Sequence, residues 1–417
     1  MATLMTTPAS TRDKLLRARE ASSKLAQLST AQKNAILMVM ADAIEANAQA
    51  ILAENQADLD ASGLSGAMLE RLTLNPKRIK EMASGVRAVA QLPDPIGEVL
   101  AESTRPNGLQ IRKLRVPLGV VGIIYESRPN VTVDVAALTF KTSNAVVLRG
   151  GKEAARSNQC LVNILNEVTG VPEGAIELLD SSTRDSVGEL IKARGLVDVI
   201  VPRGGEGLIS YVVENSVVPV IETGAGNCHI FVDESADLEM ADNIVINSKT
   251  QRPSVCNAAE KLLVHESIAA EYVPRIVRTL IEHGVEVRGD EESRRLAPDM
   301  KIAPAQPQDW PEEYLRLCMA VKVVKDVDDA ISHINRYSTK HSDSIVTTNE
   351  ANARRFLRLV DSAAVYWNAS TRFTDGAEFG FGAEMGISTQ KLHARGPFAL
   401  AELTSTKYEI VGTGQVR

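Results

Sequence analysis

The most reactive residue type in this chain stands on a polar loop that contains a proline. Residues 251–258 read Gln-Arg-Pro-Ser-Val-Cys-Asn-Ala, which places Cys256 outside any apolar run. Cysteine attacks as the thiolate, so a nucleophilic cysteine needs partial exposure and neighbours or backbone N–H groups that lower its pKa from about 8.5. Arg252 and the turn before Cys256 can supply both. Cys256 is therefore our candidate nucleophile.

The other three cysteines lie in more apolar surroundings. Cys160 falls in a helical pattern and Cys318 in an apolar run, so both are predicted to be core residues. Cys228 precedes His229, which could act as a base or be a buried structural residue, and both interpretations stay open. Four cysteines in 417 residues indicate neither a disulfide framework nor a close-spaced metal pair, and no metal is predicted.

Alternating strands and helices must position these residues. Four apolar strand patterns follow residue 116, and helical patterns separate them: 120–125, 145–148, 175–179 and 197–201. This alternation is typical of a parallel sheet covered on both faces. Two strands lead into glycine turns, at 149–152 and 203–207, and the helix N-termini that follow such turns can bind phosphate. Ordinary turns between strand and helix have the same pattern, so dinucleotide binding stays open on this observation alone.

The remaining segments have simpler patterns. Ser29 or Thr30 is predicted to cap an early helix whose apolar face is Ile36, Val39, Met40, Ala43 and Ile44. A hairpin is predicted over 98–116, around a Pro-Asn-Gly turn, and a second α/β region begins near residue 227. Residues 288–311 are charged and proline-rich and predict a long surface connection.

Composition limits the partners and the location. With 44% hydrophobic and 24% charged residues the chain is typical of a globular protein of two or three domains. A formal net charge of -7 argues against a nucleic-acid partner. No apolar run approaches the roughly 18 residues of a membrane span, and the first residues lack a signal-peptide pattern. A cytoplasmic protein with no membrane partner is predicted.

The sequence separation between a glutamate and the candidate nucleophile is informative. Glu222, in Val-Ile-Glu-Thr-Gly-Ala-Gly, stands 34 positions before Cys256. With this separation, with Pro-Leu-Gly-Val-Val-Gly-Ile-Ile at 117–124 and with Phe-Gly-Phe-Gly-Ala-Glu at 379–384, nearly the whole chain resembles the aldehyde dehydrogenase superfamily. The resemblance implies an α/β fold with a Rossmann-type cofactor domain, an α/β catalytic domain and a small oligomerisation β-element.

The resemblance also implies domain boundaries and a homo-oligomer. The expected cofactor-binding domain is 1–96 with 117–225, the catalytic domain is 226–396, and the oligomerisation element is 97–116 with 397–417. In this element the hairpin is expected to pair with a C-terminal strand at 407–411.

Within that superfamily, residues 327–345 are similar to the signature of the gamma-glutamyl phosphate reductases. Residues 125–132, 148–154 and 256–258 also look like that branch. The implied activity is NADPH-dependent reduction of L-glutamyl 5-phosphate to L-glutamate 5-semialdehyde and phosphate in proline biosynthesis, with NADP(H) as cofactor. Glutamate 5-kinase, which acts in the preceding step, is a candidate transient partner.

The resemblance assigns catalytic roles. Cys256 would attack the acyl carbon and form a thioester that accepts hydride. Glu222 activates water in hydrolytic relatives, and here a catalytic role and a polar loop residue both stay open. An ungapped alignment places Arg128 at the position of the oxyanion donor, with Asn130 two residues later. Either side chain could stabilise the oxyanion. Arg128 could also hold the substrate's phosphate or carboxylate, or be a surface turn residue.

The resemblance also assigns cofactor residues. Lys152 stands where NAD-preferring relatives carry a glutamate that binds the ribose hydroxyls, so it favours NADP, although a solvated lysine at a helix start stays open. Glu313 aligns with the glutamate that holds the nicotinamide ribose. The predicted cofactor-binding residues are Arg149, Gly150, Gly151, Lys152, Gly204, Gly205 and Glu313.

Two other functions stay open. The first is a semialdehyde dehydrogenase that uses coenzyme A or water instead of phosphate, which the patterns at 327–345 and 149–152 disfavour. The second is a nucleotide-binding regulatory or scaffold protein without turnover. The presence of both Cys256 and Glu222 disfavours it.

Overall fold

A computed structural model of the protein describes residues 9–417. Within them the chain forms fourteen α-helices and sixteen strands. The helices are α1 (Thr11–Leu25), α2 (Thr30–Ala46), α3 (Ala48–Ser62), α4 (Gly66–Leu72), α5 (Pro76–Gln91), α6 (Pro129–Lys141), α7 (Ala155–Asn166), α8 (Asp185–Ile191), α9 (Glu206–Asn215), α10 (Leu238–Thr250), α11 (Glu266–Glu282), α12 (Glu291–Leu296), α13 (Val327–Tyr337) and α14 (Glu350–Leu359). The strands are β1 (Val99–Thr104), β2 (Gln110–Pro117), β3 (Val120–Tyr125), β4 (Ala145–Arg149), β5 (Ile176–Leu178), β6 (Val199–Arg203), β7 (Cys228–Val232), β8 (Ala259–His265), β9 (Glu286–Gly289), β10 (Ile302–Pro304), β11 (Cys318–Val324), β12 (Ser342–Val346), β13 (Ala364–Trp367), β14 (Gly386–Ser388), β15 (Gly396–Phe398) and β16 (Thr404–Val411).

The chain divides into two units. Unit 1 comprises Met1–Thr223, Gly380–Gly386 and Phe398–Arg417, and unit 2 comprises Gly224–Phe379 and Ile387–Pro397. The predicted place of residues 1–8 in a cofactor domain lies outside the described residues. Among residues 9–417 no single helix is long and apolar enough to cross a membrane. The bent pair of helices α2 and α3 together meets the requirement for a membrane span, but by length and composition only.

Unit 1 contains a four-stranded parallel sheet in the order β5-β4-β3-β6. All six residues of β3 are buried, as expected for a central strand rich in β-branched residues that is covered on both faces. Gly122 lies where a Cβ would come within 2.6 Å of the Ile200 side chain, so a glycine is needed for the close approach of β3 and β6. The four strands predicted after residue 116 are confirmed.

Helix α2 begins as predicted, and the buried face agrees with the prediction only in part, at Met40 and Ile44. Ser29 caps it in a capping box with Gln32, whereas Val39, placed on the apolar face, is 49% exposed. The buried residues are Lys33, Leu37, Met40, Ala41 and Ile44. Lys33 turns inward because its Nζ lies 2.6 Å from the Asp94 carboxylate, an ion pair that hydrophobic periodicity cannot reveal.

A three-stranded antiparallel sheet, in the order β1-β2-β16, also belongs to unit 1. The predicted hairpin turns at Gly108, whose φ of +89° favours glycine. The predicted pairing with the C-terminal strand is confirmed, since Lys407 lies opposite Leu114 and Val411 opposite Gln110.

Unit 2 is built on a seven-stranded parallel sheet in the order β10-β9-β11-β8-β7-β12-β13. Its central strands β7 and β8 are buried along their whole length, and helices such as α11 bury an apolar face against them. The long connection predicted over 288–311 is wrong. That segment holds α12 and β10, and Ile302 pairs with Val287 at the sheet edge. A three-residue strand is too short to give a periodic pattern in the sequence.

Candidate active site

The predicted site residues divide between the two units. Cys256 and Glu313 belong to unit 2. The others, on the sheet of unit 1 and the segments that follow its strands, are Arg128, Asn130, Arg149, Gly150, Gly151, Lys152, Gly204, Gly205 and Glu222.

The loop that carries Cys256 connects the end of α10 to the start of β8. Cys256 is half-buried, which gives its thiol the partial exposure expected of a nucleophile. A turn forms at this point, since the Ala258 N–H donates to the Val255 carbonyl at 3.1 Å. Arg372, also half-buried, lies near enough to interact electrostatically with Cys256: burial lowers the pKa of Arg372, and the charge on Cys256 opposes that shift.

Asn257 anchors the loop immediately after Cys256, the candidate nucleophile. It is 4% exposed, and its Nδ2 donates to the Thr374 carbonyl at 2.9 Å and to the Arg372 carbonyl at 3.3 Å. The Asn257 carbonyl accepts from the Thr371 hydroxyl at 2.7 Å. These anchoring contacts, with partners more than 110 positions away, were not predicted from the sequence. They fix the peptide that follows the thiol.

The backbone of Cys256 is in close contact with the strand β7 region. The Cys228 thiol donates to the Cys256 carbonyl at 3.2 Å, and a Cβ on Gly226 would lie 1.4 Å from that same oxygen. Burial raises the pKa of Cys228 well above its ordinary value, so Cys228 stays a neutral thiol. His229 is fully buried with its Nδ1 3.0 Å from the Asn227 carbonyl, which favours the structural interpretation over a base.

The remaining cysteines agree only partly with the prediction. Cys318 is fully buried, as expected. Cys160, predicted to be a core residue, is half-buried on α7. The reason is that the buried face of α7 is formed by its neighbours Leu161, Ile164 and Leu165, which leaves Cys160 at the margin of that face.

Glu313 belongs to unit 2 and is linked through Gly226 to the loop that carries Cys256, residues 251–258, called the nucleophile loop below. Its Oε1 accepts the Gly226 N–H at 2.6 Å. Gly226 is also in contact with the Cys256 carbonyl, so this one glycine connects the Glu313 carboxylate to the backbone of Cys256. The sequence suggested only a ribose-binding role for Glu313.

Arg128 and Asn130 occupy the start of α6 in unit 1. Arg128 is exposed at the N-cap position, followed by Pro129 as the first helical residue. The Asn130 amide donates to the Asp134 carboxylate at 3.1 Å, one helical turn further on. Burial raises the pKa of Asp134. The amide of Asn130 is therefore engaged within its own helix.

The first glycine turn follows β4. Lys152 is exposed, whereas Arg149 is half-buried and donates to the Thr183 carbonyl at 2.7 Å. Burial lowers the pKa of Arg149. A Cβ on Gly150 would lie 2.3 Å from the Asn158 side chain, and one on Gly151 would lie 2.2 Å from a Glu153 oxygen. Gly150 is thus required by the buried Asn158 and Tyr125 side chains, whereas a Cβ at Gly151 would displace only the carboxylate of Glu153. Lys152 is the cation that the turn exposes.

The second glycine turn leads into α9. The Gly205 N–H donates to the Glu126 carboxylate at 3.2 Å, and a Cβ on Gly204 would lie 2.8 Å from the carboxylate carbon of Glu126. A negative group at a helix N-terminus is electrostatically favoured. Glu126 supplies that group from within the chain, a contact that the sequence pattern did not indicate.

Glu222 lies in a segment that runs beside β6. The Ile221 N–H donates to the Ile200 carbonyl at 2.9 Å, and the Thr223 hydroxyl donates to the Pro202 carbonyl at 2.7 Å. These two bonds hold the neighbours of Glu222 on both sides, through the Ile221 backbone and the Thr223 side chain, and Glu222 itself is half-buried. Across residues 9–417, no group of three or more His, Cys, Asp or Glu side chains is arranged to hold a metal ion.

Comparisons with known proteins agree on one family. The model of the aldehyde dehydrogenase family matches residues 3–303. Gamma-glutamyl phosphate reductase of Koribacter versatilis is 71% identical over 407 residues, covering 98% of this chain and all of the relative. The enzyme of the same name from Carboxydothermus hydrogenoformans is 60% identical over 407 residues, covering 96% and 98% of the two chains.

A solved structure gives the same result. The crystal structure of gamma-glutamyl phosphate reductase from Thermotoga maritima superposes with a TM-score of 0.96 at 50% sequence identity, covering 98% of this chain and 100% of the other. The predicted fold class is therefore confirmed. The chain belongs to the aldehyde dehydrogenase family and, within it, to the gamma-glutamyl phosphate reductases.

Proposed function

We propose that this chain catalyses the NADPH-dependent reduction of L-glutamyl 5-phosphate to L-glutamate 5-semialdehyde and phosphate, the second step of proline biosynthesis from glutamate, in the cytoplasm. The observation that carries the proposal is the 71% identity, over 98% of the chain, to a relative named gamma-glutamyl phosphate reductase. The half-buried Cys256 on its anchored loop supports it, because this chemistry needs a positioned nucleophile.

The Cys256 thiolate begins the reaction. Its sulfur attacks the acyl carbon of the mixed anhydride, a C–S bond forms, and the C–O bond to phosphate breaks as phosphate leaves with the electron pair. The product is a thioester on Cys256. The nearby Arg372 favours the thiolate form of Cys256, because an opposite charge lowers a thiol pKa.

The thioester is then reduced rather than hydrolysed. Bound NADPH supplies the hydride for this reduction. When the tetrahedral adduct on Cys256 collapses, its C–S bond breaks, the aldehyde is released and the thiolate returns. We assign Arg128 to stabilising negative charge on the acyl oxygen, because the Asn130 amide already donates to Asp134. Glu222 is assigned to proton transfer or to positioning, since activation of water would waste the acyl phosphate.

The first glycine turn supports NADP as cofactor. Lys152 is exposed where NAD-preferring relatives carry an acidic residue, and a lysine there attracts a 2'-phosphate. The second turn supports binding less directly, because the Glu126 carboxylate already accepts the Gly205 N–H. We therefore assign recognition of the 2'-phosphate to Lys152. The residues assigned to forming the rest of the cofactor site are Arg149, Gly150, Gly151, Gly204 and Gly205. Glu313 is assigned to the nicotinamide ribose.

The test is the reverse reaction, oxidation of glutamate semialdehyde with phosphate and NADP. Cys256→Ala is expected to lower kcat about a thousandfold or more, because no other step supplies the thioester. Cys160→Ala, a change of a half-buried thiol in unit 1, is the control and should keep wild-type activity. Full activity of Cys256→Ala would overturn the proposed nucleophile.

Two further arms of the same assay decide the acceptor and the cofactor. Activity with coenzyme A but not with phosphate would favour an acylating semialdehyde dehydrogenase, the rival enzyme. The preference for NADP over NAD, taken as a ratio of kcat/KM values, should fall about tenfold in Lys152→Glu, because the variant repels a 2'-phosphate. An unchanged ratio would contradict the role assigned to Lys152.

A further inference from the structure

A buried ion pair joins the two ends of the nucleophile loop. Lys249 lies in the last turn of α10, just before the loop, and Glu260 is the second residue of β8, just after it. The Lys249 Nζ lies 2.7 Å from the Glu260 Oε2, and both side chains are fully buried. The pair therefore closes the base of the loop that carries Cys256.

The same strand also holds the segment that contains Glu313. The second oxygen of the Glu260 carboxylate accepts the Leu315 N–H at 3.2 Å. Its neighbour Lys261 donates to the Glu312 carbonyl at 2.7 Å and lies 4.4 Å from the centre of the Tyr314 ring. Two of these contacts hold the backbone on both sides of Glu313, and the third holds the side chain of Tyr314.

Glu313 closes a ring of contacts around the nucleophile. Its carboxylate accepts the Gly226 N–H at 2.6 Å, and Gly226 packs directly against the Cys256 carbonyl. The path runs from the loop through Glu260 to the 312–315 segment, then through Glu313 and Gly226 back to Cys256. Every member belongs to unit 2.

We propose that Lys249 and Glu260 are positioning residues, which hold the Cys256 backbone and the Glu313 carboxylate in one fixed arrangement. The inference rests on the proposed function, since it concerns the nucleophile of that reaction. A buried ion pair gives little net stability, because desolvation offsets its Coulomb attraction. Its place at both ends of an active loop therefore favours a positioning role. Burial raises the pKa of Glu260 to about 7 and lowers that of Lys249, as expected for charges kept away from water.

The test compares two buried ion pairs in the full-length protein. The first double variant, Lys249→Met with Glu260→Leu, removes both charges of the pair, so that neither Lys249 nor Glu260 is left buried without the other. The matched control, Lys33→Met with Asp94→Leu, removes a pair of similar burial in unit 1, where Lys33 and Asp94 are 1% and 6% exposed. Each is measured for kcat, for KM and for the rate at which iodoacetamide alkylates Cys256 across a pH series.

We expect the Lys249 and Glu260 double variant to lose activity through kcat. A shift of the thiol of the order of 1 Å can cost about a hundredfold in rate, so kcat should fall about tenfold to a hundredfold while KM changes about threefold or less. The pH midpoint of Cys256 alkylation should shift. The Lys33 and Asp94 control should keep the wild-type kcat and alkylation profile.

The outcomes separate this inference from the proposed function. A wild-type kcat and alkylation profile in the Lys249 and Glu260 double variant, with Cys256→Ala inactive, would overturn the positioning role alone. Activity that survives in Cys256→Ala would overturn the proposed nucleophile instead. If the double variant fails to fold, Glu260→Gln replaces it, because the glutamine keeps an oxygen for the Leu315 N–H. A wild-type kcat and alkylation profile in that variant overturns the inference as well.

Discussion

At the scale of single residues, contacts to its backbone position Cys256, the proposed nucleophile. The Cys256 carbonyl accepts from the Cys228 thiol and packs against Gly226, and the next residue, Asn257, is bonded on both its side chain and its carbonyl. Such contacts orient the peptide while leaving the thiol half-exposed. A preorganised nucleophile of this kind needs little rearrangement to reach the reacting carbon.

Gly226→Ala tests this arrangement. The added Cβ would lie 1.4 Å from the Cys256 carbonyl oxygen, so the backbone of one residue or the other must move. We expect kcat to fall at least about tenfold, with a loss of about 1–3 kcal/mol in the free energy of unfolding. Enzyme assays and urea denaturation measure the two effects.

Gly188→Ala is the matched control. A Cβ on Gly188, within α8, meets nothing within 4 Å, so the alanine should leave activity unchanged and stabilise the helix by about 0.5–1 kcal/mol. A Gly226→Ala variant as active as this control would contradict the close contact between Gly226 and Cys256.

At the scale of elements, α13 and β12 bring two neutral histidines into unit 2. Burial lowers the pKa of His333, on α13, to about 3 and that of His341, just before β12, to about 4. For His341 the charge on Asp343 opposes the shift. Both folded-state values lie below the ordinary histidine value of about 6.5, so the unfolded chain binds more protons between these limits. The stability contribution is present above about pH 6.5 and is lost as the pH falls toward 4.

His341→Gln should therefore flatten the acid limb of stability. Each such histidine adds a slope of about 1.4 kcal/mol per pH unit. Between pH 6.5 and 4.5 the free energy of unfolding should fall by about 2 kcal/mol less in the variant than in the wild type. Urea denaturation at stepped pH measures the difference.

His283→Gln, a change of an exposed histidine after α11, should retain the wild-type slope. An unaltered slope in His341→Gln would show that His341 is protonated in the folded state at the same pH as in the unfolded chain.

At the scale of the whole molecule, the β1-β2-β16 sheet exposes many of its side chains, and several of them are apolar. All six residues of β1 are exposed, and β16 carries Tyr408 at 63%, Ile410 at 61% and Val411 at 56% exposure. A small sheet with an open apolar surface is marginally stable unless something packs on it. We propose that this sheet joins copies of the chain, as the family resemblance implied. Contact with glutamate 5-kinase stays a prediction from that resemblance.

The double variant Tyr408→Glu with Ile410→Lys is expected to separate such copies. Light scattering coupled to size exclusion should give a multiple of 45.0 kDa for the wild type and 45.0 kDa for the variant, because charges on the shared surface oppose burial. Leu392→Glu, which changes an apolar residue of unit 2 that is 83% exposed, should keep the wild-type mass. A wild-type mass of 45.0 kDa would contradict the proposal that this sheet joins copies of the chain.

The sequence by itself determined many of the elements and the candidate chemistry. Strands such as β3, with a continuous apolar run, and the Ser29 cap of α2 were predictable because periodicity and capping depend on residues close together in the chain. Cys256 was identifiable because a thiol on a polar loop is chemically distinctive. The family followed from motif spacing, and the comparisons confirm it.

Only the tertiary structure decided which polar side chains turn inward and what they hold. Lys33 pairs with Asp94, Lys249 pairs with Glu260, and Glu126 lies at the start of α9. Hydrophobic patterning assigns all such charges to the surface, because their burial is favourable only when a partner lies within hydrogen-bond reach. That partner is determined by the packing of strands and helices that are distant in sequence. The contacts that position Cys256 could therefore be identified only from the folded structure.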